Sequence, residues 1–171
     1  MPETSCISCK GARTVSHCEV CEGALCKTCV QFLDPLSFSF LKEIPEVLAH
    51  VRYCRFCYDE KVAPPLESYR EILERAQNVF IFFSSVRKDI VTKRSKVRVQ
   101  VDACPDRDET ILRLAFFAAE LGFNAVIEVE VKAEKVRNAG YQKSKWQGIG
   151  LPAQVDETKV DREHQQDKEH R

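Results

Sequence analysis

The chain has 171 residues with 26 basic and 26 acidic side chains, so its formal net charge is zero and no overall charge draws it to nucleic acid or an anionic membrane. That length suits one ordinary domain, or a small domain joined to a slightly larger one. The start, MPETSCISCK, lacks the basic-then-apolar pattern of a secretory signal, and no run approaches the ~18 apolar residues that span a bilayer; a soluble, cytoplasmic protein is expected.

Residues 1–60 hold eight of the nine cysteines, in four Cys-x2-Cys pairs: Cys6 and Cys9, Cys18 and Cys21, Cys26 and Cys29, Cys54 and Cys57. Disulfide frameworks do not favour such tight pairs, whereas a two-residue gap lets both thiolates of one turn face a zinc ion at about 2.3 Å. Inside this region the apolar insert LDPLSFSFLKEIPEVLAHV, with Phe38, Phe40, Leu41 and Leu48, reads as core. A break is expected around Ala63–Pro65. A linking helix occupies 61–77, its face formed by Leu66, Tyr69, Ile72 and Leu73.

Residues 78–155 read as an α+β unit. VFIFFSS is a short buried strand, and SKVRVQVDA is a strand with Val97, Val99 and Val101 on one face. DETILRLAFFAAELGF is a helix with Asp108 as its cap and Gly122 as its stop. AVIEVEVKAEKV and WQGIGLPAQV complete a β-β-α-β-β order. The tail 156–171 carries six acidic and four basic residues with a single Val, too little apolar surface for a core, and is expected to be disordered or a solvated helix.

The ligand pattern is C-x2-C-x8-C-x2-C-x4-C-x2-C-x24-C-x2-C. The four-residue gap between Cys21 and Cys26 is too short for a second independent ribbon but long enough for a hairpin with a pair on either side. This favours a cross-brace in which Cys6, Cys9, Cys26 and Cys29 hold one zinc and Cys18, Cys21, Cys54 and Cys57 a second, two stacked ribbons being the alternative. Four thiolates around each ion leave no position for water, so the sites are structural and no enzymatic activity is expected.

HCEVCEGALCKTC followed by VRYCRFCYDE resembles a FYVE-type zinc finger, including its closing Val-Arg-x-Cys-x2-Cys-Tyr turn, over residues 6–60. That resemblance implies a double zinc finger and raises phosphatidylinositol 3-phosphate as a membrane ligand, with His17 and Arg52 at matching positions. The rest of the lipid motif departs from the family: Glu19 replaces an arginine, and only five residues precede Cys6, so the upstream Trp-x-x-Asp is absent. Charge points the same way. Residues 1–60 carry eight acidic and six basic side chains, and eight thiolates less two zinc ions bring the loaded module to about −6. A protein partner is the favoured reading, with lipid-dependent recruitment and RING-like ubiquitin transfer as alternatives; the ligand spacing disfavours the latter.

The C-terminal half contains no phosphate-binding loop and no nucleophile elbow. Cys104 reads as a buried thiol. Two basic segments are expected in turns: Arg87, Lys88, Lys93, Arg94, Lys96 and Arg98 in one, and Lys132, Lys135, Arg137, Lys143 and Lys145 in the other. The first set is a candidate anion site, although both segments read more simply as solvated tips, and nucleic acid is disfavoured by scarce aromatics. LRLAFFAAELGFNAVIEVEVKAEKV and the later GIGLPAQV resemble the YbjQ-type heavy-metal-binding family. The resemblance implies a unit that closes its sheet by forming rings such as pentamers; the ligands for the family's metal are absent. The whole reads as a zinc-binding, homo-oligomeric interaction or scaffold protein.

Overall fold

Helices and sheets are both present, and the chain divides into two units, Met1–Glu71 and Ile72–Arg171. The computed structural model describes residues 5–34, 36–83, 89–138 and 141–160, the side chains of 136–138 and 141–143 excepted. Arg87, Lys88 and the tail from 161 lie outside the described residues, as do the side chains of Arg137 and Lys143.

The first unit has little regular structure. β1 (Ser16–His17) pairs with β2 (Ala24–Leu25), and β3 (Gln31–Phe32) pairs with β4 (Arg52–Tyr53), both antiparallel. Two-residue ladders cannot stand alone in water. Around them Leu25, Leu33, Phe38, Leu48 and Tyr53 are buried, and Tyr53 donates its hydroxyl to the Val47 carbonyl at 2.8 Å. Phe38 and Leu48 bear out the core reading of the insert, and Phe38 meets Tyr69 edge-on at 5.3 Å. The break expected at Ala63–Pro65 is absent. Helical backbone runs through α1 (Arg55–Cys57), a wider π turn at Tyr58–Val62 and α2 (Ala63–Ala76). Pro64 and Pro65 fall in the first turn of α2, where a missing N–H is tolerated.

In the second unit one long strand organises the sheet. β9 (Tyr141–Val155) pairs along its length with antiparallel β8 (Ala125–Asn138). Its other edge is covered by two consecutive segments, β6 (Val91–Arg94) and β7 (Val99–Cys104). The two-residue β5 (Phe80–Ile81) adds in parallel to β8 at the sheet edge, so the described part of VFIFFSS, residues 79–83, holds a half-buried edge strand rather than a buried one. The order is therefore β-β-β-α-β-β, with β6 additional to the expected set. Val99 and Val101 face inward as expected, but Val97 is 68 % exposed in the turn before β7. The second basic segment lies in the arms of β8 and β9, not in a turn.

Helix α3 (Arg107–Glu120) covers the sheet with Leu114, Phe116 and Ala118 fully buried. Its N-cap is Asp106, whose carboxylate accepts from the Glu109 N–H at 2.7 Å; Asp108 sits inside the first turn. Gly122, at φ 77°, ends the helix as expected. Gly148 lets helix and sheet approach, and Gly150 leaves room for Val126 of β8. A Cβ at Gly148 would lie 2.7 Å from Thr110 Cγ2 and 3.0 Å from Leu114 Cδ1, and one at Gly150 would overlap Val126. Gly148→Ala is expected to destabilise this unit by roughly 1–3 kcal/mol through overpacking, read as a lowered denaturation midpoint at unchanged slope.

The charged tail also departs from expectation at its start. Residues 157–160 form a helical turn, with Asp156 accepting from the Thr158 N–H and hydroxyl. The turn places Val160, 2 % exposed, against Ile90, Ala125 and Val155.

Candidate metal centres

All four cysteine pairs are built alike. In each, the N–H of the residue after the second cysteine donates to the carbonyl of the first: Lys10 to Cys6, Glu22 to Cys18, Val30 to Cys26 and Tyr58 to Cys54, at 2.8 to 3.3 Å. Lys10 and Glu22 take positive φ, 62° and 59°, to close the first two loops. The fourth pair instead opens α1, and Cys54 Sγ accepts from the Cys57 N–H at 3.3 Å.

Strand pairing brings the loops together two by two. The β1–β2 hairpin carries the Cys18–Cys21 loop at its tip, and Cys26 follows directly after β2 at the opposite end. Ile7 N–H bonds the Ala24 carbonyl at 2.8 Å, which draws the first loop beside the third. The β3–β4 pairing returns the 24-residue excursion to its start, and Glu19 N–H reaches the Arg52 carbonyl at 3.0 Å, which draws the fourth loop beside the second. Two groups of sulfurs result, Cys6, Cys9, Cys26 and Cys29 in one and Cys18, Cys21, Cys54 and Cys57 in the other, all within 4.8 Å of one another inside each group. Each group can hold a metal ion, and the pairs interleave, first with third and second with fourth.

The thiols are tuned unequally. The Thr28 hydroxyl, 3.2 Å from Cys26 Sγ, and the neighbouring Cys29 thiol lower Cys26 to about 6. The same neighbour, Cys26, pushes Cys29 up to about 12. Burial pushes Cys18 up, but the backbone N–H groups of Cys21, Cys54 and Val20 outweigh it and bring the thiol down to about 7. Backbone N–H groups of Cys9 and Cys26 lower Cys6, while burial raises Cys21 and Cys57. Unequal ionisation is what close thiols must show, since mutual repulsion prevents all from ionising without a cation among them.

Glu19, the charge reversal noted in the sequence, does specific work here. Its carboxylate accepts from the Val51 N–H at 2.8 Å and from Arg52 Nε at 2.8 Å, with His50 Nδ1 at 3.8 Å. The Val51 N–H, then Arg52, hold it below the usual carboxylate range. Arg52 is therefore engaged by Glu19, and His17 is exposed on β1. Sequence reasoning saw the wrong charge for a lipid site but not this brace. Glu19→Gln keeps the shape, removes the charge-assisted bonds, and is expected to cost about 1–2 kcal/mol in the unit's metal-loaded stability, measured by denaturant titration.

The other candidates separate. Arg94 and Arg98 share one partner, Glu128, turned toward them by a bulge at φ 52°; Arg94 lies at 3.8 Å and Arg98 in direct contact. Lys93 lies 5.7 Å over the Phe123 ring, and Lys96 is exposed in the turn between β6 and β7. Cys104 is buried, with Sγ 3.8 Å from the Asp102 carbonyl. Beside the second cysteine group an open groove of about 810 Å³ is lined by Ile7, Cys21, Cys54, Phe56 and Cys57 among others. Among the described residues no helix is long and apolar enough to cross a membrane.

Fold and site together define an α+β protein with two four-cysteine groups able to bind metal. No family model matches the chain, and no curated protein matches it. A crystal structure of a protein of unknown function from Pediococcus pentosaceus, described as belonging to the DUF74 family, is similar at 16 % identity over 46 % of this chain and 98 % of that one, with a TM-score of 0.33.

Proposed function

We propose that the cysteine-rich unit is a FYVE-like cross-brace loaded with two zinc ions, that it binds a protein partner, and that the C-terminal unit self-associates, making the chain a non-enzymatic scaffold. The interleaving of two all-cysteine groups carries this reading. Four thiolates suit zinc, and a closed tetrahedral set stabilises structure without activating water. A reducing cytoplasm keeps such sulfurs available for metal.

The partner reading draws support from exposed apolar side chains, Phe56 at 66 % and Phe32 at 65 %, the former lining the groove beside the second group. Engagement of Arg52 by Glu19 speaks against phosphoinositide recognition, which needs that guanidinium for phosphate. Self-association rests on the resemblance of residues 78–155 to a ring-forming family. A ring would present several zinc modules at once and convert weak single contacts into avidity.

Native mass spectrometry of protein purified without chelator tests both halves. Two zinc ions per chain in a multimer near five is the expected spectrum. One ion or none removes the cross-brace, and a zinc-loaded monomer removes the avidity.

A further inference from the structure

The two cysteine groups differ in solvent access. In the first, Cys9 is exposed and Cys26 and Cys29 are half-buried, leaving Cys6 alone in the interior. In the second, Cys18, Cys54 and Cys57 are at most 3 % exposed and only Cys21 is open. Peroxide must reach a sulfur to oxidise it, so access ranks thiolates that are otherwise alike.

Oxidation to a disulfide also needs a second reachable sulfur close by. Cys9 Sγ and Cys26 Sγ lie 3.6 Å apart, Cys9 exposed and Cys26 half-buried, so neither is closed off from solvent as Cys18, Cys54 and Cys57 are. The exposed Cys21 lies 3.8 Å from Cys54 Sγ, but that sulfur is buried and accepts the Cys57 N–H.

Resting on the zinc reading above, we propose that the first group is a reversible oxidation site, at which a peroxide links Cys9 to Cys26 and expels one metal ion while the second group keeps its own. The Cys9 thiolate attacks one peroxide oxygen, the O–O bond breaks, and hydroxide leaves and takes a proton from buffer acid to become water, giving a sulfenic acid. The Cys26 thiolate then attacks that sulfur, the S–S bond forms, and the hydroxyl leaves as water after taking a second proton. Two sulfurs give up one electron each and the peroxide takes both. The ion, reduced to two thiolate donors, departs unchanged in oxidation state.

Full-length protein carrying two zinc ions, freed of reductant, is treated with hydrogen peroxide while a chromophoric chelator reports released zinc. Quenched samples are alkylated before and after reduction and mapped by peptide mass. One equivalent should leave at least about tenfold faster than the other, with Cys9 and Cys26 the first residues linked. Dithiothreitol with added zinc should restore both ions. Release of both ions together, or first oxidation at Cys18, Cys21, Cys54 or Cys57, overturns the inference. Metal content measured before oxidant separates the two failures: fewer than two ions per chain sinks the zinc reading and this inference with it, whereas two ions lost together sink the inference alone.

Discussion

Stripping both metal ions with a strong chelator is expected to erase amide protection through residues 5–71. The unit's ladders are two residues long, and its core rests on a handful of side chains such as Phe38 and Tyr53. Small domains of this kind lack the buried surface to pay for chain entropy. A structural zinc contributes on the order of 10 kcal/mol, comparable with the whole stability of an ordinary domain. The β7–β9–β8 ladder holds its own hydrogen bonds without any cysteine pair and should retain slow exchange. Hydrogen exchange read by mass spectrometry before and after chelation, and again after zinc is returned, measures this. Protection in 5–71 that survives chelation would show that metal is not what holds the unit.

Acid should empty both groups. All four sulfurs of a group must be thiolates to hold an ion. At pH 7 without metal, Cys29 at about 12 is protonated, so loading the first group releases at least one proton. Cys21 and Cys57, both pushed up by burial, give at least two from the second. The loaded form therefore carries fewer protons, and affinity rises with pH and falls as pH falls. Near pH 7 the loss is at least about tenfold per pH unit for the first group and at least about a hundredfold for the second. Below pH 7 Cys18 takes up a proton, and below pH 6 Cys26 does, so both curves steepen. Competition against a chelator of known affinity at pH 7, 6 and 5 gives the slopes. A flat profile contradicts the assigned ligands.

The two cysteine groups were legible because spacing fixes the four loops. A two-residue gap leaves the chain little choice but a loop closed by one hydrogen bond; the four-residue gap after Cys21, expected to hold a hairpin, holds only β2, which pairs back on β1 across the Cys18–Cys21 loop. Helix α3 was legible from Gly122 and its apolar run, yet its cap was misplaced by two residues, since Asp106 and Asp108 are chemically equivalent and only backbone geometry distinguishes them. β6 was hidden because Val91-Thr92-Lys93-Arg94 lacks apolar alternation; its register comes from β9, more than 50 residues away. The bulge at Glu128 and the burial of Val160 likewise depend on partners remote in sequence. Glu19 shows the same limit at the site: its charge could be read, but not that Val51 and Arg52 would meet it.

Interleaving also makes the cysteine-rich unit indivisible. A break between Cys9 and Cys26 parts the ligands of the first group, and one between Cys21 and Cys54 parts those of the second, so no cut from residue 10 to residue 53 leaves both groups whole. Two one-metal halves cannot be excised, shuffled or duplicated separately. Extra length is another matter. The 24 residues between Cys29 and Cys54 leave and return through the β3–β4 pair, and closure entropy rises by only about 0.6 kcal/mol per doubling of a flexible loop. Within that excursion, the exposed run 42–46 between buried Phe38 and Leu48 is where the unit can absorb insertions and acquire new surface away from the cysteines.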